Sequence, residues 1–149
     1  MTLRWLFAAL HLLALGIGLG AVWSRARALR ALPGEDALRR ALAADAWWGI
    51  AGLLWISTGL VRAFGGLEKS SRYYLQSDAF LAKMGLLGVI ILLELWPMAT
   101  LIRWRIQRQR GGSPDLGRAA AFARISEVQA LLVIVMVFAA TAMARGLGF

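Results

Sequence analysis

Between Trp5 and Trp23 the chain runs for 19 residues with one strongly polar side chain, His11. A helix over that run puts ~27 Å between the two indoles, close to the hydrocarbon thickness of a bilayer. The run therefore reads as a membrane span with a tryptophan anchor at each end. It does not read as a cleaved leader. It is long for the apolar part of a signal peptide, and Ser24-Arg25-Ala26-Arg27 follows it in place of a small-residue cleavage site.

Three further runs, at 46–64, 79–102 and 125–144, have the same character. Four spans with short connections account for the 149 residues as one domain, 1–149. Composition agrees. The chain is 60% hydrophobic, with a mean hydropathy of +0.65, whereas soluble domains are roughly half apolar. The expected fold is all-α, an integral-membrane four-helix bundle. Pro33-Gly34 marks a turn, Glu35 to Ala44 reads as an extension of the second helix, and Gly65-Gly66 ends it. Pro97 is expected to kink the third span.

The chain has 17 Lys+Arg against 8 Asp+Glu, a net charge of +9. Its arginines flank apolar runs, which points to a membrane and not to a face that reads nucleic acid. The first and third connections hold Arg25, Arg27, Arg30, Arg39, Arg40, Arg103, Arg105, Arg108, Arg110, Arg118 and Arg124. The opposite side holds Arg4, Arg62, Lys69, Arg72 and Arg145. The positive-inside rule then puts those two connections in the cytoplasm and both termini in the periplasm, with the chain in the bacterial inner membrane. Trp47, Trp48, Trp96 and Trp104 fall near the inner interface, and Trp5, Tyr73 and Tyr74 near the outer one. The absence of cysteine excludes disulfides, thiolate metal sites and cysteine nucleophiles, and one histidine excludes a His-rich metal cluster.

Ionisable groups inside a span cost ~2.5–3.5 kcal/mol each and are functional candidates by default. Helical spacing sorts them into stripes. Arg4, His11, Gly18 and Arg25 recur every seven residues on span one. Asp45, Trp48, Gly52, Trp55, Gly59 and Arg62 form a stripe on span two. Lys83, Leu87, Ile90 and Glu94 share a face of span three. Glu127, Leu131, Ile134, Phe138, Thr141 and Arg145 share one on span four. By depth, His11, Lys83, Arg62, Arg145 and Thr141 form an outer basic cluster, with Trp55 and Thr58 near the middle. Asp45, Glu94 and Glu127 form an inner acidic one. Asp45 reads first as the N-cap of span two, and Glu127 as a first-turn carboxylate. Glu94 lies too far from Lys83 to pair with it on a straight helix, so it needs another partner or a proton. Gly16-xxx-Gly20 and Ala14-xxx-Gly18 are small-residue seams, within the chain or between two copies. A homodimer or higher homo-oligomer in the lipid bilayer is expected.

The ordered motifs carry a resemblance. They are a His in span one, Asp-x-Trp-Trp-Gly from Asp45 to Gly49, Thr-Gly-Leu-x-Arg from Thr58 to Arg62, a Lys69 loop with Tyr73-Tyr74, and Phe80-x-x-Lys83. The set resembles an uncharacterised bacterial inner-membrane family, domain of unknown function 2214, over nearly the whole chain. The layout is also similar to the HemJ-type protoporphyrinogen oxidases and the CopD-like membrane domains. In the HemJ type a span-one His and a span-three Lys are the functional pair and haem b is bound, so that likeness implies roles for His11 and Lys83.

Three functions follow as expectations. The first is a tetrapyrrole-binding protein, with an oxidoreductase as one form of it, that takes haem b or a porphyrin. His11 is then the axial metal ligand. Lys83, Arg62 or Arg145 meet the propionates, and Trp55 and Phe138 line the pocket. The second is a proton or ion conductor or transporter subunit, with Glu94, Asp45, Glu127 and Lys83 as the relay. Lys83 and Glu94 are the catalytic candidates across these readings. The third is a structural partner in a membrane complex. No phosphate loop, nucleophile–His–acid set or nucleic-acid motif is present.

Overall fold

A computed structural model describes residues 1–67 and 70–147, apart from the side chains of Ser71 and Tyr74. The expectations for Lys69 and for the Tyr74 ring lie outside what it describes. The elements are α1 (Thr2–Arg30), α2 (Glu35–Phe64), the short α3 (Ser71–Leu75), α4 (Asp78–Gln109) and α5 (Ala119–Ala144). The four long helices form the expected all-helical bundle, and no strand occurs among the described residues. α1 packs against α2 and α5, and α5 against α4. α4 and α2 touch only lightly.

The helices are longer than the apolar runs that announce them. α2 begins at Glu35, with Glu35 and Asp36 in its first turn, where carboxylates suit the helix dipole. It stops at Gly65. A Cβ there would sit 2.4 Å from the Val61 carbonyl oxygen that the Gly65 N–H caps, so only glycine fits. Ser77 caps α4 by accepting from the Phe80 N–H. α4 then continues as helix through Pro97, which is buried and deprives the Leu93 carbonyl of its helical donor.

The surface is apolar and the interior is partly charged, the reverse of a soluble bundle. Leu53, Leu92 and Phe138 are about 70% exposed (71%, 69% and 71%), while Arg25 is fully buried. α1, α4 and α5 are each long and apolar enough to cross a membrane. α2 is as long, but its indoles, its hydroxyls and Arg62 lower its hydropathy, and it is not among those three.

The interior is layered. One apolar cluster, around Leu29, Leu101, Trp104 and Phe122, sits at the α1–α2 turn. A second, around Ile90, Val133 and Met136, sits at mid-bundle. A small third one, Ala63 with Phe80, lies near the end that holds both termini. Polar layers fill the two gaps.

Two expected faces change. α5 turns Ser126, Gln129, Ala130, Val133 and Met136 inward, and leaves Leu131, Ile134 and Phe138 on the surface. Phe138 therefore lines no internal pocket. α5 is apolar on nearly every side, so periodicity alone carried almost no contrast to orient it. Trp48 and Trp104 also leave the expected interfacial belt. Trp104 is 3% exposed and Trp48 is hydrogen-bonded inside. Trp5, Trp23, Trp47 and Trp96 remain on the outside. On α1, a Cβ on Gly18 would meet Ala51 of α2 at 3.5 Å, so the Ala14–Gly18 seam is intramolecular, whereas a Cβ on Gly16 or Gly20 would meet nothing within 4 Å.

Candidate functional site

The polar layer between the first two apolar clusters is built on Arg25. Its guanidinium has five N–H donors in a planar fork. Each meets an acceptor. Nε donates to Ser126 Oγ at 3.0 Å. Nη1 donates to Asp45 Oδ1 and Glu94 Oε1, both at 2.8 Å. Nη2 donates to Glu94 Oε2 at 2.9 Å and Gln129 Oε1 at 2.7 Å. One side chain thus joins α1 to α2, α4 and α5, across the seam where α2 and α4 barely touch.

The surrounding groups fix one another. Gln129 Nε2 donates to Glu94 Oε2 at 2.8 Å and to the Ile90 carbonyl at 3.2 Å, which sets the amide's orientation. Ser126 passes its hydroxyl hydrogen to the Phe122 carbonyl, leaving its oxygen to accept from Arg25. Trp48 Nε1 donates to Glu94 Oε2 at 3.0 Å. Glu94 therefore accepts four hydrogen bonds. Asp45 is held less: Oδ1 takes one bond from Arg25, and Oδ2 lies 3.9 Å from Arg105 Nη2, which itself donates to the Leu42 carbonyl. Two carboxylates share one fully buried guanidinium, and the second cation is at the limit of contact and partly exposed.

This layer corrects three expectations. Arg25 is not a flanking surface charge. Asp45 is not an N-cap, because α2 starts ten residues earlier. Glu127 is neither in a first turn nor in the bundle: it pairs on the surface with Arg30, at 2.5 and 2.7 Å. The partner that Glu94 required is Arg25. Two signals pointed to it. Arg25 lies a heptad and a heptad beyond His11 on one stripe, and an intramembrane carboxylate calls for a cation.

The second polar layer is built on His11. Thr58 gives its hydroxyl hydrogen to the Leu54 carbonyl at 2.7 Å, so the 2.9 Å contact with His11 is a donation from Nδ1. That is the tautomer whose acceptor is Nε2. The ring stacks on Trp55 at 4.9 Å and 19°, and Lys83 Nζ lies 5.1 Å from the centroid of the same indole. Trp55 Nε1 is buried with no hydrogen-bond partner. A Cβ on Gly59 would come within 3.1 Å of His11 Cε1.

His11, Trp55 and Lys83 thus come together as expected. Arg62 is half-buried near the end of α2, while Phe138 faces outward and Arg145 is exposed at the end of α5. The imidazole tautomer suits a metal. The packing does not suit a macrocycle: His11 is 6% exposed, with one ring face against Trp55 and an edge against Gly59. No group of three or more metal-ligating side chains occurs among the described residues.

An apolar exterior around charged interior layers defines a helical integral-membrane protein. Residues 3–148 match the family model described as "Predicted membrane protein (DUF2214)", and the chain belongs to that family. No curated protein and no solved structure matches it.

Proposed function

We propose that this protein binds and releases a proton in the Arg25 layer, as a proton-coupled subunit of the bacterial inner membrane. The observation that supports it is the ratio of two carboxylates to one saturated, fully buried guanidinium. Asp45 is the proton acceptor in this reading. It is the less tightly held carboxylate, and it lies towards the α1–α2 turn, where Arg105 gives it a polar outlet. Glu94, fixed by four donors, holds Arg25 in place. A proton on Asp45 removes the negative charge that Nη1 meets, which weakens that bond and loosens α2 from α1. The mid-bundle apolar cluster separates this layer from His11, so the protein works by a change of packing and not as a standing proton wire.

The same reading makes α2 the fourth span and places both termini in the periplasm. The chain has no cysteine, so single cysteines report this directly. One at Arg110 labels only from the cytoplasmic side, and one at Tyr73 only from the periplasmic side. Homo-oligomerisation belongs to the proposal, because one small bundle is a slender transporter; the mass of the detergent-solubilised protein tests it. Proton uptake by proteoliposomes tests the function. Wild-type protein takes up protons under an imposed potential and Asp45→Asn does not, while keeping its helix content. Wild-type flux no greater than that of empty vesicles, or unchanged flux in Asp45→Asn, rejects the proposal.

Haem or porphyrin binding at His11 is the competing proposal, and the Nδ1–H tautomer is what favours it. It requires α1, α2 and α4 to part near His11. A Soret band that shifts on reduction and disappears in His11→Ala decides for it.

A further inference from the structure

The surface between α1 and α2 carries a groove of about 520 Å³. Its floor is made of small buried side chains, among them Ala21 and Ala44, and Ala43 stands exposed at its side. Trp23 and Trp47 line it, as do Arg27 and Arg40. The two helices run antiparallel, with Gly18 against Ala51 and Arg25 against Asp45. In that register Trp23 stands level with Trp47. Arg27 lies one turn, ~6 Å, beyond Trp23 towards the α1–α2 turn, and Arg40 lies ~10 Å beyond Trp47 in the same direction. Both indoles are more than half exposed, at 51% and 57%.

The groove is therefore graded along its length. It is apolar near Ile17 and Ala21, aromatic at the level of the two indoles, and cationic at its end. Asp36 lies 3.5 Å from Arg40 but also pairs with Arg39, so that end keeps a net positive charge. A second copy of this chain would bring a further +9 to a face already positive. The occupant has to be anionic at one end and apolar at the other, and has to reach the groove from the bilayer.

The geometry points to an anionic phospholipid, with its phosphate on Arg27 and Arg40, its glycerol between the indoles and an acyl chain along Ala21 and Ile17. Tryptophans at the interface and arginines at the phosphate match the depths these side chains take in membranes. The inference stands on the membrane location alone and does not depend on the proton reading.

Native mass spectrometry of the full chain released from detergent tests it, with equal amounts of phosphatidylglycerol and phosphatidylcholine added. Phosphatidylglycerol is expected to remain bound preferentially. Arg27→Ala with Arg40→Ala lowers its affinity by about 30-fold, the effect of two basic side chains at a membrane surface. Arg103→Ala with Arg110→Ala removes the same charge outside the groove and leaves the preference intact. Ala43→Leu fills the trough, keeps both arginines and also loses the lipid. Equal retention of the two lipids, an equal loss in both arginine pairs, or undiminished binding in Ala43→Leu overturns the assignment. A change of oligomeric state in Ala43→Leu assigns the groove to a second copy and overturns it as well.

Discussion

Replacing Arg25 with methionine separates a buried ion pair that organises the bundle from one that merely fits inside it. Methionine keeps most of the aliphatic volume and removes all five donors. Asp45 and Glu94, with side chains 11% and 17% exposed, then face each other without their shared cation. Ser126 and Gln129 each lose the donor that meets their oxygen. Removing one partner of a buried ion pair costs about 3–5 kcal/mol, because the other charge is left uncompensated. At roughly 2–4 °C per kcal/mol for a chain of this size, the midpoint of thermal unfolding falls by about 6–20 °C. Intrinsic tryptophan fluorescence in detergent follows the transition, since Trp48 is bonded to Glu94. Arg25→Lys keeps the charge but offers three donors and no planar fork, so it falls between the wild type and Arg25→Met. Arg25→Met combined with Asp45→Asn and Glu94→Gln removes the stranded charges and recovers most of the loss. The reasoning fails if Arg25→Met changes stability by no more than about 0.5 kcal/mol, the range of ordinary surface substitutions.

Gly59→Ala drives a methyl to within 3.1 Å of the His11 ring, whereas Gly49→Ala, on the same helix, meets nothing within 4 Å. Overpacking costs about 1–3 kcal/mol and a helical Gly→Ala gains up to ~1, so Gly59→Ala unfolds at the lower temperature of the two; equal midpoints show that the imidazole is not held. Arg30→Ala breaks only a partly exposed surface pair with Glu127 and leaves the unfolding midpoint within its scatter, at low and high salt alike.

The structure also separates two kinds of sequence information. Polar residues inside apolar runs identify themselves, because a charge in hydrocarbon needs a reason. His11, Lys83, Glu94 and the stripe from Asp45 to Arg62 were all legible in this way, and the structure turns them inward or half-inward. Turn chemistry was legible too: Pro33-Gly34 and Gly65 lie where the helices stop. Apolar residues carried much less. Lipid is as apolar as a bundle core, so a leucine facing out and one facing in have the same sequence signature. That is why Phe138, expected to line a pocket, lies outside, while Gln129 and Ser126 occupy the interior face.

The amino-acid sequence by itself determined the number of long helices, the membrane setting and the list of charged groups that must be neutralised there. These follow from run length, hydropathy and the cost of burying charge, all of which are local. Tertiary structure alone decided that Arg25 serves Asp45, Glu94, Ser126 and Gln129 together. The members of that layer are up to 104 residues apart in the chain. They meet only because the helices of one bundle are set in register to within about a turn, and a register between helices is not written in any one of them.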